Sequence, residues 1–267
     1  MMLDLPAYLE RIGLSESEQP TLHDVHRAHA TSIPFENLDS HRGIPVSLAQ
    51  EDLERKLVAE RRGGYCFEQN LLLASALEDL GYEVEPMLAR VRAGAPAGTV
   101  RPRGHLVLRV TDREEHVWHA DVGFGLGTLL DPIPFGPAGG EAHEQCGWSF
   151  RVVQEGQELV LQTLIGGDWS DVYVFSPQRV PHVDIETSNW WTCTNPQSPF
   201  VFGLIAGFHN ADGSRALVSD WSGALQLMEQ SPDQTRISEL PREALPELLA
   251  ERFSLSGFAL GAHGRVQ

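Results

Sequence analysis

The run Arg62-Gly63-Gly64-Tyr65-Cys66-Phe67-Glu68-Gln69-Asn70 decides how the rest of the chain is read. Two glycines stop one helical pattern and a cysteine opens the next. The Cys66 sulfur is therefore expected at a helix N-terminus, beside backbone N–H groups that have no partner inside the helix. The helix dipole there favours thiolate, the reactive form of cysteine. The bland alternative is a small buried hydrophobe, the commoner fate of a lone cysteine, and composition alone does not decide between them.

Working outward towards the N-terminus, Ser47 with Gln50 reads as a capping box for a helix through Leu53, Leu57 and Val58 that ends at Gly63-Gly64. Thr21 with Asp24 opens an earlier helix that Pro34 must end, and Asp4, Pro6 and Gly13 bracket a first helix carrying Leu5, Leu9 and Ile12. The spacing of His23, His26 and His29 reads as a polar helix surface rather than a metal site. The helix opened at Cys66 continues from Phe67 to Leu80 and closes at Gly81. Residues 1–83 thus form a helical bundle that carries the cysteine.

From Val84 the period changes to two. Val84–Val91, His105–Val110 and His116–Val122 read as strands, separated by a Pro/Gly-rich loop from Gly94 to Gly104 and a polar turn at Thr111-Asp112-Arg113. Trp148–Val153 and Leu159–Ile165, joined by Glu155-Gly156-Gln157, make a hairpin, and Trp169–Phe175 adds a strand. A β-barrel over 84–180 is the economical reading. In 181–267, Pro181–Cys193 reads as helix, Val201–Phe208 and Ala216–Asp220 as strands, and Leu245–Phe253 as an amphipathic helix. The fold class is α+β: helical bundle, barrel, then a mixed tail.

Composition bounds the function. The 267 residues are 42% apolar, enough for a real core, and no apolar run is long enough for a membrane helix. The N-terminus lacks the pattern of a signal peptide, so the cytoplasm is expected. The three cysteines, Cys66, Cys146 and Cys193, are odd in number and far apart, with no CxxC pair, which argues against a disulfide framework and a zinc site. A net charge of −17 disfavours nucleic acid as a partner and obliges any anionic ligand to find local basic residues.

A nucleophilic cysteine needs a base and a group that orients the base. Asp121 closes a strand just before Val122-Gly123-Phe124-Gly125-Leu126-Gly127, and His105 starts the strand before it. Cys66, His105 and Asp121 form a plausible triad. His119 is a rival base, because positions two apart on a strand share a face, and spacing does not rank the two histidines.

Taken together, these residues resemble the arylamine N-acetyltransferase family. The likeness is carried by Ile33-Pro34-Phe35-Glu36-Asn37-Leu38, by the Arg62–Asn70 run, by His105-Leu106-Val107-Leu108 and by Asp121-Val122-Gly123-Phe124-Gly125. Echoes follow at Asn195-Pro196-Gln197-Ser198-Pro199-Phe200 and Leu248–Phe253. The resemblance implies a cysteine-protease-like core with an N-terminal helical bundle, a β-barrel and a C-terminal α/β lid. It makes Cys66 the nucleophile, His105 the base and Asp121 its orienting partner, and leaves His119 structural.

The same resemblance pairs Glu36 with Arg62 behind the Cys66 loop. It implies ping-pong transfer of acetyl from acetyl-CoA to an arylamine, arylhydroxylamine or hydrazine, with Phe124 flanking the acceptor and Phe35 and Phe200 beside it. No metal is implied. For the phosphates of CoA, Arg101 and Arg103 are the nearest basic pair, with Gly104, Gly125 and Gly127 allowing close backbone approach. Gly104 departs from the threonine common at that place. An amide synthase that releases or cyclises a polyketide would use the same triad, as would a Cys-His-Asp amidohydrolase. Neither a membrane nor a nucleic acid is expected as partner, and a homo-oligomer stays open.

Overall fold

The computed structural model describes residues 3–96, 98–137, 140–261 and 265–267. Helix α1 (Leu5–Ile12) is capped by the Asp4 carboxylate on the Ala7 N–H and stopped by Gly13 at φ +80°. Helix α2 (Leu22–Ser32) begins with the Thr21–Asp24 capping box. Strand β1 (Phe35–Glu36) and the one-turn α3 (Leu38–His41) follow. Helix α4 (Gln50–Leu53) runs into a π-helical turn, Glu54–Ala59, and α5 (Cys66–Asp79) begins at the cysteine. These helices share one apolar core, in which Tyr8, Leu9, Val25, Leu57, Leu72 and Leu77 are fully buried.

Three expectations for this region are overturned. Ser47 is not a cap: its hydroxyl accepts the Ala49 N–H, the helix starts at Gln50, and the Gln50 side chain turns instead to Glu54 and Ser75. The helix ends at Ala59, ahead of Gly63-Gly64, with Arg61 left-handed at φ +52°. His26 and His29 are fully buried rather than part of a polar surface; only His23 stays exposed, edge-on to Trp118.

The central sheet contains β2 (Glu83–Val91), β3 (His105–Thr111), β4 (Val117–Ala120), β5 (Ile133–Pro134), β6 (His143–Gln145), β7 (Trp148–Glu155), β8 (Glu158–Ile165) and β9 (Asp168–Phe175). All its pairings are antiparallel, in the order β5-β4-β3-β2-β9-β8-β7-β6. The two edges nearly close into a barrel. The Gln145 amide on β6 accepts the Leu130 and Asp131 N–H groups and donates to the Asp131 carbonyl, just ahead of β5. Met87, Val107, Phe150, Leu161, Tyr173 and Phe175 fill the interior.

Helix α6 (His182–Thr194) leads to α7 (Pro199–Phe202), β10 (Ile205–His209), β11 (Arg215–Ser219), β12 (Leu225–Ser231), β13 (Gln234–Leu240) and α8 (Leu245–Phe253). The strand expected over Val201–Phe208 forms only from Ile205, because Val201 and Phe202 end helix α7. Ser198 accepts the Phe200 N–H and Pro199 occupies the first turn, so the chain coils before extending at Ile205. The β12–β13 hairpin was not anticipated. The second sheet has the order β1-β10-β11-β12-β13, so residues 35–36 from the helical region form its edge. Among the described residues no helix is long and apolar enough to cross a membrane.

Candidate active site

Cys66 is the first residue of α5 and is buried, yet it lines a pocket of about 580 Å³. The loop before it is held by a buried ion cluster. Arg62 reaches Glu36 at 2.7 Å and Asp39 at 2.8 Å, and Lys56 reaches Glu68 at 2.6 Å and Asp39 at 2.8 Å. Burial opposes the Lys56 charge, but Glu68, Glu36 and Asp39 outweigh it and hold the ammonium ionised. Arg42 adds a longer contact to Asp39 at 3.8 Å, and burial with Glu36 nearby pushes Glu68 up to about 7 against Lys56. Glu68 also accepts the Tyr65 N–H, the hydrogen bond that sets the start of α5.

His105 opens β3 and Asp121 follows β4, and both are buried. The His105 Nε2–H donates to Asp121 Oδ2 at 2.7 Å, which leaves Nδ1 for the Cys66 side. Burial opposes a charge on His105, but the Asp121 carboxylate and the contact with Cys66 more than offset it and push the ring up to about 10. Burial likewise opposes the Asp121 charge, and His105 with the Asn70 and Gly123 hydrogen bonds brings it down to about 2. The pair is therefore an imidazolium beside a carboxylate at neutral pH. The structure thus brings Cys66, His105 and Asp121 into one cluster.

The support around Asp121 extends beyond the residues expected from sequence. Asn70 lies one helical turn after Cys66 and on the same face. Its amide donates to Asp121 Oδ1 at 2.9 Å and to the Leu106 carbonyl at 2.7 Å, and accepts the Val122 N–H. His26 accepts the Asp121 N–H at 3.1 Å and donates to the Leu130 carbonyl. At Gly123 a Cβ would lie 2.6 Å from Cys66 Cα, so only glycine lets the two segments pack this closely. The i+4 position of Asn70 was the one legible signal; nothing in the spacing pointed to Lys56 or His26.

His119 stands apart, inside the barrel. It stacks on Phe175 with centroids 4.7 Å apart, and its Nε2 meets the Tyr173 hydroxyl at 2.8 Å. Burial pushes its pKa down to about 4, which leaves it neutral. Among the described residues no group of three or more His, Cys, Asp or Glu is arranged to hold a metal ion.

Phe35, Phe124 and Phe200 line the pocket, with Phe124 edge-on to His105 at 5.1 Å. Arg101 and Gly104 also line it, whereas Arg103 lies 3.9 Å from Glu158. In the glycine-rich turn the lining comes from Gly123, Phe124 and Leu126. Gly125, at φ +78°, faces the Phe35 ring, and a Cβ on Gly127 would strike Phe124 at 2.6 Å. Their absent side chains make room for aromatic rings. Beside Gly104 stands the Thr192 hydroxyl, 3.6 Å from where its Cβ would be, so a threonine from α6 occupies the side of Gly104. Trp191, Phe202 and Trp221 complete an aromatic wall that sequence reasoning missed.

A family model described as N-acetyltransferase matches residues 19–257. The arylamine N-acetyltransferase of Mycolicibacterium smegmatis is 42% identical over 217 residues, 76% of each chain. That of Mycobacterium tuberculosis is 34% identical over 275 residues, 100% of this chain and 94% of the relative. Among solved structures, Mycobacterium marinum arylamine N-acetyltransferase in complex with CoA superposes with a TM-score of 0.86 at 35% identity, covering 94% of this chain and 93% of the other.

Proposed function

Because the chain belongs to the arylamine N-acetyltransferase family, we propose that it moves an acetyl group from acetyl-CoA to an arylamine, arylhydroxylamine or arylhydrazine by way of Cys66. The observation that carries the reading is the buried Cys66, His105 and Asp121 set opening onto an aromatic-walled pocket. The Cys66 thiolate attacks the thioester carbonyl of the co-substrate. The carbon–sulfur bond to CoA breaks, and the departing sulfur takes the proton from His105 Nδ1. The acetyl group stays on Cys66.

In the second half the amine attacks the acetyl-cysteine carbonyl, His105 Nδ1 takes the amine proton, and the bond to Cys66 breaks to restore the thiolate. Exchange between two thioesters is nearly level in free energy, whereas amide formation runs downhill. Asp121 keeps the proton-bearing Nε2 of His105 turned away from the sulfur, so the same Nδ1 serves both halves. Phe124, with Phe35 and Phe200, flanks the aromatic acceptor.

For the anionic groups of CoA we assign Arg101, a cation in the pocket lining, and Arg103 further out in the same loop. Gly104 forms part of the same wall, and Gly125 and Gly127 keep the turn beside it narrow. The Glu36–Arg62 pair holds the loop that presents Cys66. The chain works as three parts, 1–83 with the nucleophile, 84–180 with His105 and Asp121, and 181–267 as the lid, and its compartment is the cytoplasm.

The test is a two-substrate kinetic series with acetyl-CoA and 4-anisidine. Parallel double-reciprocal lines, with CoA release far faster than with water alone, are expected. A rate equal to that with water would make the protein a hydrolase instead. If glutamine at both Arg101 and Arg103 leaves the acetyl-CoA KM untouched, their assignment falls.

A further inference from the structure

His26 lies on α2, far along the chain from the triad, and is fully buried. Both ring nitrogens are engaged, and their partners dictate the tautomer. The Leu130 carbonyl can only accept, so Nδ1 carries the hydrogen and donates at 3.1 Å. The Asp121 N–H can only donate, so Nε2 offers its lone pair, also at 3.1 Å. Burial pushes the ring down to about 4, so it keeps this neutral form.

The Asp121 N–H needs such a partner. Strand β4 ends at Ala120, and the chain then leaves the ladder towards the glycine-rich turn. The carboxylate itself is held at both oxygens, Oδ1 by Asn70 and the Gly123 N–H and Oδ2 by His105. Those bonds set the orientation of the carboxylate about its own Cα, and the position of that Cα depends on the backbone. His26 clamps this backbone and ties it to the Leu130 segment ahead of β5, bringing the helical bundle to bear on the barrel.

We propose that His26 is a positioning residue for acetyl transfer, acting through the Asp121 backbone to hold the carboxylate that orients His105. This rests on the triad reading above, so its test carries a readout independent of turnover. Asparagine at 26 places a donor near Nδ1 and keeps the Leu130 contact but loses the acceptor for Asp121. Glutamine places its carbonyl oxygen near Nε2 and restores it.

His26→Asn is expected to slow CoA release in the acylation half-reaction about 10- to 100-fold, with the acetyl-CoA KM within about twofold of wild type. In the same variant the His105 imidazole, followed by ¹⁵N NMR, titrates at lower pH. His26→Gln is expected to recover most of the lost rate and the His105 titration. A role confined to filling the core predicts equal losses in both variants with the His105 titration unmoved, and that result would overturn the proposal.

Should the asparagine variant fail to fold, the wild-type protein gives a direct reading. A scalar coupling across the N–H···N hydrogen bond between the Asp121 amide nitrogen and His26 Nε2 is expected. Its absence from a spectrum that resolves both signals would equally refute the inference. If wild type shows the coupling but releases no CoA, the proposed function fails and the His26 contact stands.

Discussion

Acidification should destabilise this protein above the ordinary carboxylate range, because several histidines are buried neutral, His26, His29, His119 and His209 most strongly. His26, His119 and His209 are pushed down to about 4 and His29 to about 3, in each case chiefly by burial. Hydrogen bonds also demand the neutral form where a ring nitrogen accepts, as His26 Nε2 does from Asp121 and His29 Nδ1 does from Tyr8, whereas His209 is kept neutral by burial against its own donated bond. His29 donates from Nε2 to Gln69 and accepts the Tyr8 hydroxyl at Nδ1, and His209 donates to the Gly125 carbonyl.

The sign follows from linkage. Folded values below the ordinary 6.5 mean that these groups contribute stability above pH 6.5, lost as pH falls towards 4 while the unfolded chain takes up protons. At pH 5 each costs about 2 kcal/mol and the four about 8. Glu68 runs the other way, since a carboxyl raised to about 7 stabilises the fold as pH falls, and returns about 2–3 kcal/mol. His105 also runs the other way between pH 8 and 6.5, because its raised value makes its contribution complete below 6.5 and lost as pH climbs towards 10, and it returns about 2 kcal/mol more.

The net loss between pH 8 and pH 5 is about 3–4 kcal/mol, a large share of the whole stability of many domains. Urea unfolding by tryptophan fluorescence should show midpoints falling by about 1 M per pH unit between pH 6 and 5. His119→Gln should flatten that slope by about one proton, or about 1.4 kcal/mol per pH unit. A midpoint constant from pH 8 to pH 5 would refute the reasoning.

Replacing Asp121 by asparagine removes the charge that does most to hold His105 up and leaves burial opposed only by the contact with Cys66. The His105 titration by ¹⁵N NMR should drop well below the wild-type value of about 10, and a ring that titrates as in wild type would contradict this. Lys56→Met leaves Glu68 without its cation and Glu36 and Asp39 facing Arg62, with Arg42 reaching Asp39 only, and should cost about 3–5 kcal/mol in urea unfolding. Adding Glu68→Gln should recover part of that loss, so a double variant no more stable than the single would count against the cluster. Gly123→Ala forces a Cβ to within 2.6 Å of Cys66 Cα and should cost about 1–3 kcal/mol with a marked loss of acetyl transfer. Wild-type stability and rate in that variant would show that the close packing is not needed.

The helix ends were legible where a side chain and a backbone group close a local ring. Asp4, Thr21 with Asp24, Gly13 and Gly81 act within a few residues of themselves. Ser47 satisfied the same pattern and failed, because a serine hydroxyl can serve a turn as readily as a helix start, and here it takes the Ala49 N–H. The β12–β13 hairpin escaped notice because Leu225 is the one buried residue in its two strands, so no alternation is written there. His26 and His29 escaped because burial of a histidine is decided by partners distant in sequence, Asp121 and Leu130 for one and Tyr8 and Gln69 for the other. Lys56 was hidden for the same reason.

In the site, Cys66 was read from its place after two glycines, and His105 and Asp121 from strand ends. Choosing between His105 and His119 needed more than spacing. The two are separated by the turn of the chain beyond Ala120, which carries Asp121 towards His105 while His119 stays inside the barrel. The aromatic wall from Trp191, Phe202 and Trp221 comes from the lid, whose approach to the barrel no local pattern encodes.

The central claim is that Cys66 carries the acetyl group. Protein incubated with acetyl-CoA and no acceptor, then quenched in acid, digested and mapped by mass spectrometry, should carry one acetyl group on the peptide containing Cys66. Addition of an arylamine should discharge it. No adduct, or an adduct on Cys146 or Cys193 that persists in Cys66→Ser, would contradict the account.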